Sequence, residues 1–94
     1  MQARYEVDLE RCVDALGDAC RRLELEVMGA DVRPDEARIN ARSADQSELL
    51  RIDLRSTEGG STWVSFSVGR EWTHDIQKLI SGLREAFECE LKGC

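Results

Sequence analysis

Four arginines and one tryptophan in the middle of the chain have the spacing of a binding surface. Arg38 and Arg42 are four positions apart, as are Arg51 and Arg55, and Trp63 follows in the next apolar segment. On a strand, residues an even number of positions apart lie on the same face. Guanidinium groups bind carboxylates or phosphates, and an indole offers a large apolar contact area. We therefore expect these five side chains to form a candidate protein-binding face.

Basic residues beside an aromatic ring are also typical of single-stranded nucleic-acid binding. The composition opposes that interpretation, because Lys plus Arg number 13 against 19 for Asp plus Glu, which gives a net charge of −6. Nucleic-acid-binding domains normally carry a basic excess. We also expect Asp53 and Glu36 to lie across from two of the arginines, where they would neutralise them. A solvated, ion-paired face is the simplest interpretation, protein docking is the functional one, and no nucleic-acid partner is predicted.

The four cysteines are the second group with possible chemistry. Structural zinc sites place cysteines in pairs two to four residues apart, whereas seven residues separate Cys12 from Cys20 and four separate Cys89 from Cys94. Cys12 and Cys20 lie on the apolar stripe of a helix and should be buried. Cys89 lies opposite the apolar stripe of a second helix and should be exposed. Cys89 and Cys94 are therefore candidate reactive thiols, for a disulfide or a soft metal, although a loose reduced tail over 88–94 is the simpler expectation.

Catalytic chemistry has little support in the sequence. The only histidine, His74, stands at the start of a predicted helix, and no nucleophile motif lies near it. The pair Gly59-Gly60 joins two strands, whereas a phosphate-binding glycine loop needs a following helix. We predict a protein that is not an enzyme and that has no cofactor and no metal site.

The elements that would position these residues follow from the apolar periodicity. Alternation predicts strands near 3–7, 23–27, 37–41, 50–54 and 64–68, and steps of three and four residues predict helices near 9–23 and 73–87. Asp8 is the expected N-cap of the first helix. The segment 29–35, which contains Pro34, is expected to be a loop. The predicted order is β-α-β-β-β-β-α in a single α+β domain over residues 1–94.

Strand register can be derived from the turns between the strands. Matching the apolar faces around the turn at 44–47 places Arg38 opposite Asp53 and Arg55 opposite Glu36. A three-residue loop at 58–60, with a glycine in the left-handed conformation, places Arg55 opposite Trp63. The resulting sheet is five-stranded and antiparallel in the order 2-3-4-5-1, with both helices on one face.

This architecture leaves two further possibilities open. Strands one and two would be sheet edges, and edges invite pairing, so a homodimer through a sheet edge is one expectation. Two helices over a sheet can also enclose an apolar pocket, so a carrier of a small apolar ligand is an alternative function. No apolar run approaches the roughly 20 residues that a membrane-spanning helix needs.

Three segments resemble a family of small bacterial envelope lipoproteins of unknown function. They are RINARSAD from Arg38, LRIDL from Leu50 and TWVSFSVG from Thr62, within a resemblance that covers roughly residues 5–87. The resemblance implies a meander preceded by a β-α-β segment and closed by a helix, and an envelope location. The chain departs from the family in having Glu36-Ala37 where a glycine is frequent, and in lacking a lipobox cysteine and a signal peptide. The sequence as written therefore predicts a cytoplasmic protein, or an envelope protein if a signal was removed, and no functional residue carries over.

Overall fold

The chain forms five strands and two helices in the predicted order. The structure is a computed structural model, and it describes residues 2–43, 49–68 and 74–93. The elements are β1 (Gln2–Tyr5), α1 (Leu9–Arg22), β2 (Leu25–Val32), β3 (Glu36–Ser43), β4 (Leu49–Ser56), β5 (Thr62–Val68) and α2 (His74–Lys92). Asp8 is the N-cap of α1, as predicted, and its carboxylate accepts a hydrogen bond from the backbone N–H of Arg11 at 2.8 Å.

The strands form one antiparallel sheet in the order β1-β5-β4-β3-β2, which confirms the predicted α+β class and strand order. The predicted register is also confirmed. Arg38 lies opposite Asp53, and Arg55 lies between Glu36 on β3 and Trp63 on β5. The sheet therefore brings the arginines and the tryptophan onto one side.

The loop between β4 and β5 sets the alignment of Arg55 with Trp63. The Thr57 N–H donates to the Ser61 carbonyl at 2.8 Å, which leaves three residues, 58–60, in the turn. Gly59 and Gly60 have φ of 84° and 78°, a left-handed conformation that residues with a Cβ rarely adopt. The glycine pair thus permits the tight loop that the register requires. The turn between β3 and β4, at 44–48, lies outside the described residues.

Both helices pack on one side of the sheet, and the core lies between the two layers. The largest fully buried side chains include Leu16 on α1, Phe66 on β5 and Phe87 on α2. The Phe87 ring meets the Tyr5 ring edge to face, with centroids 5.0 Å apart and an interplanar angle of 85°. This packing leaves the opposite side of the sheet exposed to solvent.

β2 is longer than the sequence predicts. It extends through Val32, so the expectation of a loop over 29–35 is wrong for the first half of that segment. The register shifts between Val27 and Gly29, because Met28 is an extra residue in a β-bulge. The bulge interrupts the two-residue alternation from which the strand was predicted. Val27 lies on the helix side as expected, but it is 42% exposed.

The C-terminal end of α2 is attached to α1 by polar contacts. Arg22 forms an ion pair with the Glu90 carboxylate, and the Arg11 guanidinium donates to the Glu90 carbonyl at 3.0 Å. Residues 88–92, part of the segment for which a loose tail was expected, are helical. Cys94 lies outside the described residues.

Candidate functional site

The side of the sheet that faces away from the helices carries the predicted arginines and Trp63, and we call it the outer face. Its members follow from the cross-strand register, because residues directly opposite each other point to the same side. It is formed by Gln2, Arg4, Glu26, Asp31, Glu36, Arg38, Asn40, Arg42, Leu49, Arg51, Asp53, Arg55, Trp63, Ser65 and Ser67.

Three of the four predicted arginines are paired with carboxylates of the outer face. Asp53 accepts from Arg38 at 2.8 Å and lies 3.3 Å from Arg51, so one carboxylate serves two guanidinium groups. Arg42 pairs with Glu26 at 3.2 Å. The hydrogen bond to Asp53 raises the pKa of Arg38. These arginines are therefore locally neutralised, which disfavours binding of a polyanion along the whole face.

Arg55 differs from the other three arginines. The expected ion pair with Glu36 is wrong: the two residues are cross-strand partners, yet within the described ranges no carboxylate lies within ion-pair distance of the Arg55 guanidinium. An exposed pair gains little free energy and must restrict two long side chains, so register alone does not produce an ion pair. Arg55 is left as an exposed cation at the centre of the sheet.

Trp63 lies between two arginines on neighbouring strands. It is 45% exposed, and its cross-strand partners are Arg4 on β1 and Arg55 on β4. Arg4 is held in place, because its Nε donates to the Ser61 hydroxyl at 3.1 Å and its guanidinium lies 3.6 Å from Glu6. The indole is therefore an exposed apolar surface with a restrained cation on one side and, on the other, a cation that has no ion pair among the described residues.

A groove of about 470 Å³ runs across this part of the outer face, and we call it the Trp63 groove. The residues that give it its chemistry are Gln2, Glu36, Arg38, Asp53, Arg55 and Trp63. A second groove of about 380 Å³, which includes Leu49 and Arg51, lies further along the same face. Both grooves are on the outer face and not between the helices and the sheet, where a small apolar ligand was considered.

The predicted thiols are distributed between the core and the flank of α2. Cys12 and Cys20 are fully buried, as expected from their positions on the α1 stripe. Cys89 was expected to be exposed, and this is wrong, because it is half-buried. The reason is that α2 packs against α1, and the neighbouring Glu90 contacts Arg11 and Arg22 of that helix. The proposed pairing of Cys89 with Cys94 involves a residue outside the described ranges.

Burial in the core raises the pKa of the Cys20 thiol to about 11, whereas an unfolded thiol titrates near about 8.5. Below the pKa of the unfolded thiol, Cys20 is protonated in both the folded and the unfolded chain, so the protein has its full free energy of unfolding. As the pH rises towards 11, only the unfolded chain loses the proton, and the free energy of unfolding should fall by up to about 1.4 kcal/mol per pH unit. Urea unfolding between these pH values should show that the free energy of unfolding declines less steeply with pH in Cys20→Ala than in the wild type. Parallel pH profiles for the two proteins would contradict this prediction.

The described residues hold no group of three or more His, Cys, Asp or Glu side chains placed to bind a metal ion. His74 begins α2, but its side chain is not among those that the structure describes. No helix in the described ranges combines the length and the hydropathy that a membrane crossing requires.

Three residues in or beside the Trp63 groove were not predicted from the sequence. Gln2 and Asp31 line the groove, and Arg4 is the neighbour of Trp63 on β1. Arg4 could have been found, because the predicted strand order already placed the first strand beside the fifth. Asp31 could not, because the bulge at Met28 hides the strand to which Asp31 belongs.

No protein-family model matches the chain, and no curated protein matches it either. The resemblance to small envelope lipoproteins therefore stays a prediction.

Proposed function

We propose that the protein is a non-enzymatic binding domain that docks another protein on its outer face, with the Trp63 groove as the centre of the contact. The observation that carries the proposal is an indole 45% exposed beside Arg55, a guanidinium for which the described residues supply no ion pair. Tryptophan and arginine are the residues most enriched among those that dominate binding energy at protein interfaces. Neither side chain has a role in the core.

The partner expected here presents an apolar side chain to Trp63 and a carboxylate to Arg55. The groove is bordered by further polar groups, including Glu36 and the shared carboxylate Asp53, which would form the polar rim of an interface. Because Arg38, Arg42 and Arg51 already have carboxylate partners, the described part of the face offers one available cation, Arg55, and not a basic surface. This pattern supports a protein partner over a nucleic acid.

Site-specific photocrosslinking in the cells that produce the protein tests the proposal. A photoreactive residue at Ser65, beside Trp63 in the groove, should capture a partner, and the same residue at Asp14 on α1, on the other side of the molecule, should not. The captured partner should then bind the purified wild-type protein in isothermal titration calorimetry. Trp63→Ala should lose the crosslink at Ser65. No crosslink at Ser65, or equal capture from both positions, would overturn the proposal.

A further inference from the structure

β2 is an open edge of the sheet with an unusual concentration of exposed apolar side chains. Among the strands that the structure describes it pairs only with β3, and its eight residues exceed the four of β1 at the other edge. Val27, Met28 and Val32 are 42%, 50% and 56% exposed. Natural edge strands are commonly protected by lysine or proline. β2 has neither residue and only the bulge at Met28, so its backbone groups remain available on both sides of that bulge.

The two sides of β2 differ in chemistry. Glu26 lies opposite Arg42 and Asp31 lies opposite Arg38, so both carboxylates belong to the outer face. Val27 and Val32 lie opposite Ala41 and Ala37 on the helix side. A strand added to this edge would therefore meet two carboxylates on one side and two valines on the other.

The chain already contains a strand that satisfies these requirements. β3 pairs with the inner edge of β2, and its segment 38–42 alternates arginine and small or apolar residues as Arg-Ile-Asn-Ala-Arg. The two arginines, four positions apart, face Glu26 and Asp31 across the bulge. The same spacing of basic residues would suit a strand on the free edge, because Glu26 and Asp31 are well exposed in their ion pairs with Arg42 and Arg33.

A second copy of the chain does not suit this edge. Full antiparallel overlap of two β2 strands places Leu25 opposite Val32 and Glu26 opposite Asp31. Because the pair is symmetric, each of these contacts occurs two times. Like charges directly opposite each other destabilise a strand pair. β2 contains no basic residue that could offset this repulsion. The charge pattern therefore favours a partner of the opposite charge over the homodimer considered from the sequence.

We infer that β2 binds an extended segment of a partner protein as a sixth strand, and that this segment places two basic residues four positions apart on the outer side and apolar residues on the helix side. Main-chain hydrogen bonds to the open edge hold the segment, and its alternate side chains supply the selectivity, as in other strand-addition complexes. This interface centres on the β2 edge and shares Asp31 with the border of the Trp63 groove, but it uses neither Trp63 nor Arg55.

Two synthetic peptides test the inference, one with the core Arg-Val-Thr-Val-Arg and a control in which both arginines are glutamates. Each peptide is titrated into the isotope-labelled protein, and binding is followed by the amide chemical shifts in NMR. At low salt the arginine peptide should bind at least about fivefold more tightly than the glutamate peptide. The largest shift changes should fall on β2. Trp63→Ala should bind the arginine peptide as the wild type does.

The double variant Glu26→Gln/Asp31→Asn should lose the preference for the arginine peptide. Its matched control is Glu10→Gln/Asp14→Asn, which removes the same charge from exposed positions on α1 and should keep the preference. Equal affinity of the two peptides for the wild type, or loss of the preference in both double variants, would overturn the inference. So would a concentration-dependent dimer in sedimentation with shift changes on β2, since it would assign this edge to a second copy.

Discussion

Phe87→Ala is expected to lower the free energy of unfolding by about 3–5 kcal/mol, the usual cost of removing a fully buried phenylalanine side chain. Phe87 is 0% exposed, lies near the end of α2 and contacts the ring of Tyr5, the last residue of β1. Its loss would leave a cavity and would also remove the edge-to-face contact, which is worth about 0.5–1.5 kcal/mol. A domain of 94 residues has a total stability of roughly 5–14 kcal/mol, so this change alone removes a large part of it.

Urea unfolding followed by circular dichroism measures this effect. The matched control is Lys78→Ala on the exposed side of the same helix, which should change stability by less than about 0.5 kcal/mol. If Phe87→Ala does not fold, Phe87→Leu keeps most of the volume and should lose a smaller amount, in the range of about 1–2 kcal/mol. A loss below about 1 kcal/mol for the alanine variant would contradict the packing described here.

The register of the sheet could be predicted because two local features determine it. The apolar faces of β3 and β4 must match, and the glycine pair after β4 permits a three-residue loop, so Arg38 and Asp53 had to be neighbours. The two helical stripes then required one common face. These constraints act over short distances in the sequence. A register shift of one residue in either hairpin would turn all the apolar side chains of a strand towards solvent.

The features that could not be predicted depend on relations between distant elements. The bulge at Met28 breaks the alternation of β2, so the strand cannot be recognised beyond that point from periodicity. The burial of Cys89 depends on how closely α2 packs against α1. The missing Arg55–Glu36 pair depends on side-chain rotamers at an exposed position, where competing free energies are small. The Trp63 groove depends on the first and the third of these relations, through Asp31 and Arg55, and it was therefore predicted only in part.

The β2 edge lies beside the ion pairs of the outer face, and Glu26 of β2 takes part in one of them, with Arg42. Glu26 and Asp31 at the edge face Arg42 and Arg38, and Arg38 shares Asp53 with Arg51. A basic strand added at β2 would compete for these carboxylates and would leave Arg42 less neutralised. The two proposed interfaces are therefore expected to be distinguishable by salt, because the edge contact relies on exposed charges that salt screens, whereas Trp63 contributes mainly apolar contact area.

Trp63→Ala is expected to weaken binding of a partner captured at the outer face by about 30-fold or more, which corresponds to the loss of roughly 2 kcal/mol from an anchor residue. Arg55→Ala should weaken binding less than Trp63→Ala does. Arg55→Glu should weaken binding more than Arg55→Ala, because the partner carboxylate would then meet a like charge. The control is Leu49→Ala, which removes another exposed apolar residue of the outer face but one that lines the second groove. It should change the affinity by less than about threefold.

The Trp63 and Arg55 effects should not be additive. The two side chains are cross-strand partners, and an alanine at either position exposes the other to more water, so a double-mutant cycle should give a coupling energy of at least about 0.5 kcal/mol. Isothermal titration calorimetry on the two single variants and the double variant measures it. Strict additivity would mean that the two residues contact the partner independently. An unchanged affinity in Trp63→Ala together with a loss in Leu49→Ala would move the docking surface to the other end of the face.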